Sequence, residues 1–182
     1  PYIEAAKEKG YEVLLLDSPI ISHLIQKLET SNEKVTFSRV DADVIDKLIK
    51  KENEEISKLS DKEKEKLKKI IEEAVPKEKY TVQLEAMDSN ASPFIITFPE
   101  FMRRMKEMQQ SGGNSMFGNM PEIYNLIINV NNPINSEILK SKSKDKKLRL
   151  INQSLDLAKL SQNLLKGEEL TSFIKRSIDF IK

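Results

Sequence analysis

Between Lys147 and Lys166 the chain carries apolar residues on two sides of what its spacing makes a single helix. At 3.6 residues per turn Leu148, Ile151, Leu155, Ala158 and Leu165 share one face. Leu150, Leu157, Leu160 and Leu164 lie roughly opposite, separated by little more than Asn152, Gln153, Ser161 and Gln162. A helix apolar on two sides has to be buried on two sides. A chain of 182 residues supplies one partner, so the second face calls for another subunit. Gly167 is expected to end this helix. Leu170, Phe173, Ile174, Ile178 and Ile181 then form a wide apolar stripe on a final helix. Two such helices from each of two chains close a four-helix bundle. Leu150, Leu157, Leu160, Leu164, Leu170, Phe173, Ile174, Ile178 and Ile181 are therefore the candidate dimer interface. The alternative is a bundle closed within one chain by helices earlier in the sequence.

Those helices need something to cover. Tyr80-Thr81-Val82-Gln83-Leu84 alternates like a half-buried strand, and Pro93 to Phe98 reads as a second. Asp88-Ser89-Asn90 is the turn between them. Tyr124 to Val130 is a third strand, closed by Asn131-Asn132-Pro133. The expected result is a small antiparallel-type sheet with one face needing cover. Upstream, Asp43 and the Ser60-Asp61-Lys62-Glu63 capping box each start a helix. Val44, Ile45, Leu48, Ile49, Ile56 and Leu59 line the first; Leu67, Ile70, Ile71 and Val75 line the second, which stops at Pro76. Lys and Glu interleave along both, which marks a solvated connector rather than a nucleic-acid surface. At the start of the chain, Gly10 caps a helix ending near Lys9. Tyr11 to Leu16 reads as a strand buried on both faces, and Ser18-Pro19 opens a helix buried through Ile20, Ile21, Leu24, Ile25 and Leu28. Lys34 to Ser38 reads as a short partner strand. The fold class is α+β, divided into an α/β fragment (1–42), a helical connector (43–78) and a helix-rich domain (79–182).

Composition narrows the function. Thirty basic against twenty-nine acidic residues leave no electrostatic case for nucleic acid. No apolar run approaches the roughly 20 residues that cross a bilayer. The absence of cysteine excludes a disulfide framework and suits a reducing cytoplasm. The chain opens without Met in what reads as mid-helix, so it is read as part of a longer protein. Catalytic and metal chemistry find no purchase: His23 lies opposite the apolar face of its helix, with no Cys or carboxylate pair spaced to join it. Gly112-Gly113 follows a helix, the wrong order for a phosphate-cradling loop. Asp17 and Ser18 have no base near them in the pattern. No cofactor is expected in this chain.

One stretch is unusual. Five of the six methionines lie between Met102 and Met120. Phe101, Met105 and Met108 form a narrow stripe on a short helix opened by Pro99, with Met102 on its flank; Met116 and Phe117 follow in a Gly-rich loop. Unbranched, polarizable Met suits a surface that must fit many shapes, although such a stripe also serves as core. Read from the residues alone, the chain is also compatible with a helical scaffold that binds one folded partner through this segment.

The order of pieces resembles a known family. Glu12-Val13-Leu14-Leu15-Leu16 with Pro19-Ile20 is similar to the strand-turn-helix that closes the middle domain of the ninety-kilodalton heat-shock chaperones. Asn129-Val130-Asn131-Asn132-Pro133-Ile134 resembles that family's stretch after its third C-terminal strand, with Val130 in place of a proline and Asn132 in place of a histidine. Ile21-Ser22 stands where the family usually has an acidic pair. Gly167 and Phe173-Ile174-Lys175-Arg176 resemble its last two helices. The resemblance implies the end of a middle domain followed by a C-terminal dimerisation domain, in a homodimeric ATP-dependent chaperone. ATP and Mg²⁺ would be bound elsewhere in the full-length protein. It further implies that Phe101, Met102, Met105, Met108, Met116 and Phe117 are exposed and contact unfolded client proteins.

Overall fold

The computed structural model describes residues 2–8, 10–18, 21–32, 34–37, 39–40, 55–98 and 123–181. Its sheet is organised by the most apolar strand. β1 (Tyr80–Glu85), β2 (Phe94–Thr97) and β3 (Tyr124–Asn129) lie in the order β1-β3-β2. β3 pairs in parallel with β1, Val82 opposite Leu126, and antiparallel with β2, Ile96 opposite Leu126. The sheet is thus mixed, which corrects the antiparallel expectation. The central place of β3 follows from its burial: Leu126, Ile127 and Ile128 are all fully buried, and a strand flanked on both edges and covered on both faces buries consecutive residues.

The two faces are covered differently. Leu126 and Ile128 join Tyr80, Val82, Phe94 and Ile96 beneath the helices, while Ile127 packs with Met87, Ala91 and Ile95 on the other side. The helical cover comes from α3 (Asp61–Ala74), α4 (Pro133–Lys140) and α5 (Lys144–Ser161), through Leu67, Ile71, Ile138, Ile151, Leu155 and Ala158. Each of these Leu and Ile side chains contributes about 1.5–3 kcal/mol when fully buried. The second half of the connector, α3, therefore shares the core with the sheet and with α5. The capping motif forms as read: the Ser60 backbone N–H donates to Glu63 Oε2 at 2.9 Å, and its hydroxyl to the same oxygen at 2.7 Å. Where Asn131-Asn132-Pro133 is expected only to close a strand, it also opens helix α4: Asn132 caps it, accepting from the Ile134 N–H at 2.9 Å, and Pro133 sits in its first turn.

Several boundaries differ from the reading. α5 ends at Ser161 because Asn163 turns left-handed (φ 56°), with its N–H to Leu160 O at 3.1 Å and that of Leu164 to Lys159 O at 2.9 Å. This is a Schellman closure with Asn in the place usually held by Gly. Gly167 therefore begins α6 (Gly167–Ile181) rather than ending α5. Leu165 is still buried, but from the loop between them. Residues 55–59 are not helical, and Ile56, placed on a buried helical face, is 85% exposed. The helix opened by Asp43 otherwise lies outside the described residues.

At the start of the chain α1 (Tyr2–Glu8) closes as expected: Gly10 is left-handed at φ 78°, and the Tyr11 N–H reaches Ala6 O at 3.0 Å. Neither expected strand forms. Tyr11–Leu16 and Val35–Phe37 carry no ladder, and Leu14, Leu15 and Leu16 are exposed. Helix α2 (Ile21–Ser31) likewise leaves Leu24 and Leu28 exposed. The reason is pairing: among the described residues no strand offers this segment a ladder, and an apolar run alone does not make one.

Candidate functional site

Helices α5 and α6 carry most of the residues that periodicity singled out. Ile151, Leu155 and Ala158 go into the core, as one face of the two-sided helix should. On the opposite side Leu150 and Leu164 lean half-buried against that same core, whereas Leu157 and Leu160 are 47% and 43% exposed. In α6, Leu170 and Phe173 are half-buried and Ile174 and Ile178 are 49% and 48% exposed. Ile181 closes the helix. The chain thus closes its core while four large aliphatic side chains of these two helices stay half in water.

Polar contacts join α6 to α5. Asp156 is 8% exposed on the buried side of α5, and its carboxylate accepts from the Arg176 guanidinium of α6. Lys159 lies 3.7 Å from Asp156 and donates to Glu169 Oε1 of α6 at 3.0 Å. Gln153 Nε2 donates to Ser177 Oγ at 3.0 Å. Burial pushes the Lys159 ammonium down, but the hydrogen bond to Glu169 and the negative groups around it outweigh that and leave it raised. Burial pushes the nearby Tyr80 phenol up. The seam is not saturated, since Arg176 Nε and Gln153 Oε1 are buried without a partner. Sequence periodicity missed this row because it scores Asp156 and Lys159 as polar and therefore solvent-facing.

A second polar cluster was also missed. Five of the eleven residues from Asn125 to Asn135 are asparagine, and Asn129, Asn131, Asn132 and Asn135 are all buried. Asn129 Oδ1 accepts from the N–H groups of Met87 (3.3 Å) and Asn131 (3.1 Å), and its amide donates to Asp88 O at 2.7 Å. Asn131 donates to Ile56 O and Met87 O, both at 3.1 Å, and accepts from the Lys58 N–H at 2.9 Å. Asn135 donates to Asn129 O at 2.7 Å. An amide carries two donors and an acceptor, so each side chain replaces several ladder partners that the loop at 86–93 lacks. The signal was the asparagine density after β3.

His23 is exposed. Phe101, Met102, Met105, Met108, Met116 and Phe117 lie outside the described residues. Among the described residues no three His, Asp or Glu side chains gather where a metal ion could bind. Gly167 opens α6, but Glu168 and Glu169 fill its first turn and repel phosphate there. No helix among the described residues is long and apolar enough to cross a membrane.

The chain is similar in sequence to known proteins. Chaperone protein HtpG of Bacteroides fragilis (strain 638R) is 33% identical over 248 residues, covering 99% of this chain and 36% of that protein. The HtpG of Bacteroides thetaiotaomicron is equally similar, at 33% over the same share. That of Porphyromonas gingivalis (strain ATCC 33277) is 35% identical over 142 residues, 76% of this chain and 21% of its own length. The chain spans about a third of the length of the two Bacteroides relatives. The family model described as Hsp90 protein matches residues 1–175, and the chain belongs to the Hsp90 family.

Proposed function

We propose that this chain is the C-terminal dimerisation and client-contact module, with the end of the middle domain before it, of an ATP-dependent HtpG-type chaperone. The observation that carries the reading is the exposed quartet Leu157, Leu160, Ile174 and Ile178, on the last two helices of an Hsp90-family chain. Half-exposed aliphatic residues on two adjoining helices, above a core already closed, suit a second copy of the chain. Unfolded or partly folded proteins are then held by Phe101, Met102, Met105, Met108, Met116 and Phe117, whose soft side chains repack against many partners. The chain itself has no ATPase activity. ATP and Mg²⁺ act in the rest of the full-length protein, in the cytoplasm, a compartment that a cysteine-free chain suits.

The test combines mass in solution with aggregation suppression. The chain should sediment as a dimer at micromolar concentration, and truncation before Leu170 should leave a monomer. Phe101→Ser with Met105→Ser should keep the dimer but lose retention of several unrelated unfolded proteins. A truncated chain that stays dimeric puts the interface elsewhere. A double variant that unfolds makes Phe101 and Met105 core.

A further inference from the structure

Charged and polar side chains tie the last helix to the one before it. None of the described side chains of α6 is fully buried, and its apolar stripe is half-buried at best. Its polar contacts with α5 form a continuous row instead: Arg176 to Asp156, Asp156 to Lys159, Lys159 to Glu169, with Gln153 to Ser177 beside it. Asp156 and Lys159 are largely withdrawn from water, their side chains 12% and 13% exposed. Charges so placed are screened less than surface pairs and demand one geometry. An apolar stripe slides at little cost; a guanidinium locked on a buried carboxylate does not.

We propose that the row Arg176–Asp156–Lys159–Glu169 is a positioning device, which sets the angle of α6 on α5 and so presents Ile174 and Ile178 for association. The inference rests on the dimer reading above. Asp156 and Arg176 fix the middle of α6, and Lys159 with Glu169 fixes its first turn. The contact surface is thus set by residues that lie outside it. The buried, unpartnered Arg176 Nε and Gln153 Oε1 fit a seam selected for register rather than for maximal stability.

The experiment uses the whole chain with Asp156→Asn, Arg176→Leu and Arg176→Lys. Two quantities are read: the dimer dissociation constant by sedimentation, and amide hydrogen exchange in α6 and in β3. Asp156→Asn and Arg176→Leu should each weaken the dimer at least tenfold. They should speed exchange over residues 169–178 by a similar factor while leaving residues 124–129 unchanged. Arg176→Lys, which keeps the charge but not the fixed geometry of the guanidinium, should recover only part of both. Three results overturn the proposal: unchanged affinity, unchanged exchange in α6, or equal acceleration in β3, which would make the row ordinary core. Should the unmodified chain be monomeric, the dimer reading fails by itself, and exchange in α6 alone decides whether the row positions the helix.

Discussion

Asn129 shows how one side chain can organise a loop. Fully buried at the end of β3, it satisfies two backbone N–H groups and one carbonyl of its neighbours. Removing it strands those groups without water, and a buried unsatisfied group costs about 1–3 kcal/mol. Asn129→Ala should therefore lower stability by about 3 kcal/mol in urea unfolding, with the loss of protection centred on residues 86–91. Tyr80 and Lys159 give a pH dependence. Both are raised in the folded chain, Tyr80 by burial above its ordinary 10.0 and Lys159 above 10.5, where Glu169 and its neighbours overcome burial. A raised group lends stability that is complete below its unfolded value and is lost as pH climbs through the folded one. The fold should thus weaken above about pH 10, and Tyr80→Phe should make that alkaline loss shallower in thermal melts.

At the scale of elements, the boundary between α5 and α6 is set by two left-handed residues in five positions. Asn163 (φ 56°) closes α5 and Gly167 (φ 57°) opens α6. Space does not restrict Gly167, since nothing lies within 4 Å of where its Cβ would stand. The backbone does: an L-residue in this region costs about 1–2 kcal/mol. Asn163→Ala and Gly167→Ala should each lower stability by about 1 kcal/mol, measured by chemical denaturation. At the other end of the core, Glu63 is held below its ordinary 4.5 by the Ser60 hydroxyl and then by the Ser60 N–H. Its contribution is present above 4.5 and disappears as pH falls through the lowered value, so the start of α3 should fray first in acid.

At the scale of the molecule, the core around Leu126 and Ile128 is complete without the outer faces of α5 and α6. Ile174 and Ile178 are half-exposed, so charged substitutions there meet little of the chain's own packing. Ile174→Glu with Ile178→Glu should leave the thermal melt of the monomer nearly unchanged and abolish the dimer in sedimentation. Burying two unpaired carboxylates against a second copy is far costlier than leaving them in water. A dimer that survives this double change would place the interface elsewhere on the surface.

Much of this architecture follows from local chemistry. The three strands, the turn at Asp88-Ser89-Asn90, the capping box at Ser60 and the buried face Ile151-Leu155-Ala158 rest on propensity, periodicity and side-chain hydrogen bonds within a few residues. The resemblance to the Hsp90 family rested likewise on short motifs in a fixed order. Strand order did not follow from local chemistry, because parallel pairing of β1 with β3 depends on residues more than forty positions apart. Nor did the failure of Tyr11–Leu16 to become a strand, since a ladder needs a neighbour and an apolar run does not supply one. Asp156 and Lys159 make the same point in reverse. Their charge reads as solvent-facing along one helix, and only the arrival of Arg176 and Glu169 from another makes their burial affordable.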